Sequence, residues 1–233
     1  MNNVSTIGSN RAMTSRALRH TVAGAVALAW MAAAPTVASG QNLLLNESFE
    51  NPAFTGSHRQ YWAPSAGVPH WTVSGFGNIV IHHAPDAGID TGNPTFNFAH
   101  HGDNYLDLSG TGSQATISQS FQTVIGEMYE LSFCIGASDD QLPAATIGVR
   151  LDGASPLLNT ALTPPAPAFN IVWAPQSFAF VADATTTTLS FQGLSGIDDN
   201  ASYVDSCSVV LVPAPGAAAL VGLAGLIGLR RRR

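Results

Sequence analysis

The chain has no lysine in 233 residues, and its nine arginines face fifteen Asp and Glu. Seven of those arginines sit at the ends: Arg11, Arg16 and Arg19 near the start, and Arg230, Arg231, Arg232 and Arg233 at the finish. Only Arg59 and Arg150 lie between residues 41 and 212, together with all fifteen acids, so that middle carries 2 − 15 = −13. A surface of this sign repels phosphate backbones, which excludes nucleic acid as a partner and disfavours anionic lipid. Without lysine there is no phosphate-cradling glycine loop of the usual kind. HExxH, Cys/His metal-ligand spacing and a GxSxG elbow are also missing. No stretch of the middle keeps a helical period for three turns.

The ends are apolar. Val22–Ala34 is an uninterrupted apolar run behind Arg11, Arg16 and Arg19, followed by Ala38-Ser39-Gly40. That is the charged, apolar, small-residue layout of a secretory signal peptide, with cleavage near residues 38–40. No twin-arginine pair is present, and Met13 would start a more ordinary leader than Met1. At the other end, Gly216–Leu229 holds no charged residue and lacks the polar stripe of a helix packed on a domain. Its fourteen residues span about 21 Å as a helix, a short membrane segment that flanking residues and snorkelling arginines lengthen. The expected layout is a signal peptide over 1–40, one domain over 41–212 and a sorting segment over 213–233.

The order Val212-Pro213-Ala214-Pro215, then a Gly/Ala/Leu-rich helix, then the cluster Arg230-Arg231-Arg232-Arg233 resembles the PEP-CTERM sorting signal of Gram-negative bacteria. Ala214 stands where that signature usually has Glu. The resemblance implies an exosortase as partner, transient residence in the inner membrane, removal of the helix and delivery to the cell surface or beyond.

Between the ends, short β-type runs alternate with Gly, Pro, Asn and Asp. Candidate strands are Leu43–Phe49, Trp71–Ser74, Asn78–His83, Tyr105–Leu108, Ala115–Gln122, Met128–Ile135, Thr146–Leu151, Ile171–Val181, Thr186–Gln192 and Tyr203–Val212. Period-two alternation puts Tyr129, Leu131 and Phe133 on one face, and likewise Leu189 and Phe191. Such a series predicts an all-β domain, an antiparallel two-sheet sandwich of the jelly-roll kind. Cys134 and Cys207 both fall in these strands. In an oxidising compartment an isolated pair favours a disulfide, with two buried free thiols as the alternative. The bond requires Cys207 to point with Cys134, away from the face of Phe133.

Asn42-Leu43-Leu44-Leu45-Asn46-Glu47-Ser48-Phe49-Glu50, Pro69-His70-Trp71-Thr72-Val73-Ser74-Gly75, Ile117-Ser118-Gln119-Ser120-Phe121, Gly126–Phe133 and Tyr203-Val204-Asp205 follow one another in an order. That order resembles galactose-binding-like jelly rolls of the plant cell-wall "domain of unknown function" proteins and their bacterial choice-of-anchor C relatives. The resemblance implies a secreted, polysaccharide-associated role, usually without demonstrated catalysis. It also implies a structural calcium held by Glu50 and Asp205, where related jelly rolls place an ion between first and last strands.

Six histidines crowd between His58 and His101, two pairs of them adjacent, and adjacent strand residues face opposite ways. Solvated or locally hydrogen-bonded loop histidines are the default. Sugar recognition rests on exposed aromatic rings. Tyr61 and Trp62, in an expected Pro/Gly-bounded loop, are the candidate ligand-binding pair; the alternative is that Trp62 plugs one end of the sandwich. Trp71 and Trp173 are expected in the core. The leading expectation is an exported, non-catalytic surface or matrix protein that binds polysaccharide. The alternatives are a secreted polysaccharide-active enzyme and a structural coat protein without ligand.

Overall fold

The computed structural model describes residues 40–85, 98–108, 110, 114–137, 146–165, 171–194 and 202–213. The expected leader over 1–40 lies outside these residues except for Gly40. Of the expected sorting segment only Pro213 falls within them; Ala214, Pro215, the apolar run and Arg230, Arg231, Arg232 and Arg233 lie outside. The described chain forms eleven strands: β1 (His58–Trp62), β2 (Thr72–Phe76), β3 (Asn78–His83), β4 (Asn104–Asp107), β5 (Gln114–Gln122), β6 (Met128–Gly136), β7 (Ile147–Asp152), β8 (Pro156–Leu162), β9 (Ala174–Val181), β10 (Thr186–Gly193) and β11 (Tyr203–Leu211). They assemble, all antiparallel, into a six-stranded sheet β1-β3-β4-β11-β6-β9 and a five-stranded sheet β2-β5-β10-β7-β8. Successive strands pass repeatedly from one sheet to the other, so the two halves of the sandwich cannot separate without unthreading the chain.

Alternation decides what lies between the sheets. On β5, Ala115, Ile117, Gln119 and Phe121 are buried while Gln114, Ser120 and Gln122 are exposed. On β10, Thr187, Leu189 and Phe191 point inward. From the facing sheet, β6 supplies Tyr129, Leu131, Phe133 and Ile135, and β11 supplies Val204, Cys207 and Val209. Phe191 meets Phe133 edge-on at 5.0 Å and lies 6.4 Å from Trp71, which joins the two sheets through aromatic rings.

The opening segment departs from expectation. Leu43–Phe49 is not a strand, because Asn46 and Phe49 take positive φ (51° and 61°) and break the extended run. Side chains fill in for a ladder: the Gln119 amide accepts from Leu45 N and donates to Leu45 O, at 2.8 and 2.9 Å. Asn42 does the same on β11, donating to Cys207 O and accepting from Val209 N. Trp71 holds the segment down, its indole N–H donating to Asn46 O at 3.1 Å. Two strands escape sequence reading. In β1 only Tyr61 is buried, and β8 opens on Pro156 and buries no residue fully, so both lack the apolar alternation that marks an inner strand.

The core assignment has a direct test. Phe191→Ala empties a fully buried aromatic site and should lower the unfolding free energy by about 3–5 kcal/mol in denaturant titration. Phe76→Ala, at a 76 % exposed position, should stay within about 0.5 kcal/mol of the parent.

Candidate functional site

With the apolar side chains of the five-stranded sheet pointing inward, the intervening ones form its outer face, and the register lays them out in rows. One row runs Ser74, Thr116, Gln192, Gly148, Ala161; the next runs Thr72, Ser118, Ser190, Arg150, Asn159. A third holds Ser120 and Thr188, whose hydroxyls pair at 2.8 Å, and Asp152. Phe76 and Leu194, exposed by 76 % and 43 %, add apolar surface where the rows begin. Over β5, β10, β7 and β8 the face is hollowed into an open groove of about 520 Å³, lined among others by Thr116, Arg150, Asn159, Ser190, Gln192 and Leu194. Gly148 forms part of its floor; a β-carbon there would lie 3.2 Å from Leu194 Cδ1.

The electrostatics of this face differ from those of the domain as a whole. Among its described outward side chains the charged ones are Arg150 and Asp152, and they neutralise each other, Arg150 Nε lying 2.9 and 2.7 Å from the two carboxylate oxygens. What remains is a lattice of hydroxyls and amides, each able to donate and accept. Within a row such groups repeat at the ~4.8 Å spacing of paired strands, and neighbouring rows lie about 6.6 Å apart along them. Chemically the face can bind a neutral, hydroxyl-rich chain. Its one described carboxylate, that of Asp152, is already paired with Arg150.

The carboxylates expected to hold calcium bind backbone N–H groups. Glu50 Oε1 accepts from Asp103 N and Asn104 N at 3.0 and 2.9 Å. Asp205 accepts from His101 N at 2.9 Å and from Ser206 N at 2.6 Å, with further bonds from His100 N and the Ser48 hydroxyl. Gly102 lies between, at φ +71°, so close that any β-carbon would collide with Glu50 Oε1. Together the two acids clamp the segment His100–Asn104. These N–H bonds occupy Glu50 Oε1 and both carboxylate oxygens of Asp205. Among the described residues no three His, Cys, Asp or Glu side chains come together as a metal-binding group.

The histidines are bound locally. His82 Nε2 lies 3.2 Å from Asp107 Oδ2, with its ring stacked on Tyr105 at 5.1 Å. His83 pairs with Asn104, His100 with the Ser206 hydroxyl at 2.7 Å, and His101 with Ser48. Trp173 packs on Tyr105 and Tyr203 at the outside of the six-stranded sheet rather than in the main core.

Tyr61 and Trp62 are parted by the strand they occupy. Both belong to β1 and not to a loop; Tyr61 turns into the core and cannot stack on a ligand, whereas Trp62 is 56 % exposed at the sheet edge. Trp62 therefore does not plug the sandwich. The disulfide is likewise not formed: Cys134 and Cys207 are free and buried. Cys134 is paired with Asp205 on the outer side, while Cys207 packs in the core cluster with Phe133. The register shift between Asp205 and Ser208, with Ser206 at φ 56°, accompanies this division of faces. The groove residues went unnoticed because serine, threonine and glutamine on a strand read as an ordinary solvated face; only the register brings them together.

Two measurements check this geometry. Protein unfolded without reductant should yield two alkylatable thiols, and a disulfide-linked Cys134–Cys207 peptide would contradict the assignment. Burial raises the Asp205 carboxyl to about 6, from 3.8, despite its hydrogen bonds. The folded state thus holds this proton to higher pH than the unfolded chain does. Its stabilising effect is complete below pH about 4 and is lost as pH rises through about 6, by about 3 kcal/mol. The unfolding free energy of the parent, relative to Asp205→Asn, should fall across that window; a flat difference would refute the shift.

No curated protein matches the chain. Among solved structures, the Stig cyclase Fisc from Fischerella sp. TAU is similar at TM-score 0.53 and 14 % identity, over 76 % of this chain and all of that one. The CBM22-1 xylan-binding domain of Paenibacillus barcinonensis Xyn10C aligns at TM-score 0.44 and 16 % identity, over 75 % of this chain and 97 % of its own. TmCBM61, solved with β-1,4-galactotriose, aligns at 0.42 and 14 %, over 73 % and 99 %. At such identities the cyclase likeness speaks for the fold alone, a two-sheet antiparallel sandwich. The sequence is more specific: residues 42–209 match the family model described as "Protein of unknown function (DUF642)", and the chain belongs to the DUF642 family.

Proposed function

We propose that this protein is an exported, non-catalytic β-sandwich that binds a neutral polysaccharide on the outer face of its five-stranded sheet. The observation that carries the reading is the contrast in charge. A domain at −13 turns one broad, grooved face to solvent with its only described charges, Arg150 and Asp152, cancelled against each other. Polyuronates and other polyanions are repelled by the domain as a whole, whereas a neutral glycan meets hydroxyls, the Asn159 and Gln192 amides and the Arg150 guanidinium. Phe76 and Leu194 supply apolar surface for the C–H face of a sugar ring. Export rests on the leader over residues 1–40. Sorting by an exosortase to the cell surface rests on Pro213-Ala214-Pro215, the apolar segment and the terminal Arg230, Arg231, Arg232 and Arg233. Trp62, exposed on edge strand β1 of the other sheet, is the second place where a sugar could stack.

Affinity electrophoresis through gels containing soluble neutral polysaccharides distinguishes these surfaces. Arg150→Ala and Gln192→Ala should each weaken retardation, the former by roughly tenfold for loss of a charged hydrogen-bond donor, with melting temperature nearly unchanged. If Trp62→Ala abolishes retardation and the groove variants do not, the ligand sits at the β1 edge. Release of reducing ends from any retained polysaccharide would replace the non-catalytic reading with an enzymatic one.

A further inference from the structure

The opposite end of the sandwich has a chemistry of its own. The turn between β5 and β6 carries Val124 and Ile125, each 61 % exposed, where a turn ordinarily carries polar residues. Exposed Met128, Val181 and Leu211 lie beside it. Met128 stands opposite Val181 on the outer side of the sheet; Leu211, opposite Tyr129, ends β11 on the inner side at the same end, and Val212 N donates to Met128 O at 2.9 Å. Gly126 N donates to Ala182 O at 2.8 Å and Ala182 N returns a bond to Glu127 O, which holds the turn against the β9 end. Five exposed apolar side chains gathered at one end of the sandwich mark an interaction site.

The chain itself indicates the occupant. Leu211, in the patch, is the last residue of β11, and the uncharged run Gly216–Leu229 begins five residues later. From Val212 to Gly216 the chain can reach at most about 14 Å, and two of the intervening three residues are proline. The chain also enters here: a β-carbon on Gly40 would sit 3.3 Å from Leu211 O. Whatever takes up Gly216–Leu229 is therefore held against Val124, Ile125, Met128, Val181 and Leu211 at high local concentration. We infer that this end is a membrane-docking face, seated on the surface of the bilayer that holds the apolar C-terminal segment before sorting, which rests on reading that segment as membrane-inserted. Glu127 and Glu130, exposed beside the patch, repel anionic headgroups, so the matching surface is zwitterionic. Val124 and Ile125 would enter the headgroup boundary as a shallow apolar tip.

The test uses the full chain in phosphatidylcholine vesicles, with an environment-sensitive fluorophore at Ile125→Cys or, as a control, at Phe76→Cys. Phe76 pairs with Gln114, at the far end of β5 from Val124, and the native Cys134 and Cys207 are buried from the label. The chain should float with the vesicles, and nitroxide-bearing phosphatidylcholine should remove most of the Ile125 signal while leaving that of Phe76. Flotation with an unquenched Ile125 label overturns the docking face but leaves the membrane segment standing. A chain that does not float overturns both. Should lipid-free protein sediment as a dimer that Ile125→Glu dissociates, with no quenching in vesicles, the patch belongs to a second copy and the inference fails.

Discussion

The contact of Phe191 with Phe133 and Trp71 couples the two sheets, and the rest of the molecule is set by it. Once these rings lie inward, the period of two on β10 sends Ser190 and Gln192 outward. Pairing then carries the same parity to Thr116 and Ser118 on one side and to Gly148 and Arg150 on the other. A slip of one residue would bury the hydroxyl lattice and expose the core, so the face is specified by packing it does not itself contribute.

Charge is distributed with the same dependence on position. Glu50 and Asp205 work as anchors for backbone N–H groups, holding the segment ahead of β4 against β11 and the opening turn. Glu127 and Glu130 sit at the end where the chain leaves. The five-stranded face is left with one compensated pair. An acidic protein of this layout keeps polyanions at a distance while the described side chains of one face stay close to neutral. Its apolar turn lies at the end of β5 opposite Phe76, so a membrane-held chain would turn the Phe76 end outward.

How far this was legible in the sequence depends on where the information is stored. The inner strands announce themselves, by alternation in Gln114–Gln122 and by a short apolar run in Asn78–His83, because both are local properties. Edge strands β1 and β8 do not, since one sheet neighbour and one shallow face demand little of the sequence. Leu43–Phe49 reads as a strand until the positive φ at Asn46 and Phe49 is seen, and the amides that replace its ladder come from Gln119 and from Asn42 itself. The pairing of Cys134 with Cys207 fails through a bulge at Ser206, which no count of cysteines reveals. The groove is a property of register alone: Arg150, Asn159, Ser190 and Gln192 are distant in sequence and adjacent only across β10, β7 and β8.

The claim that one sheet face is the recognition surface is tested most directly by hydroxyl-radical footprinting of the folded protein with and without a neutral polysaccharide that retains it. Phe76 and Leu194 should lose reactivity on binding, while Trp62, at the edge of the other sheet, should keep it. Protection of Trp62 with Phe76 and Leu194 unchanged would contradict the account.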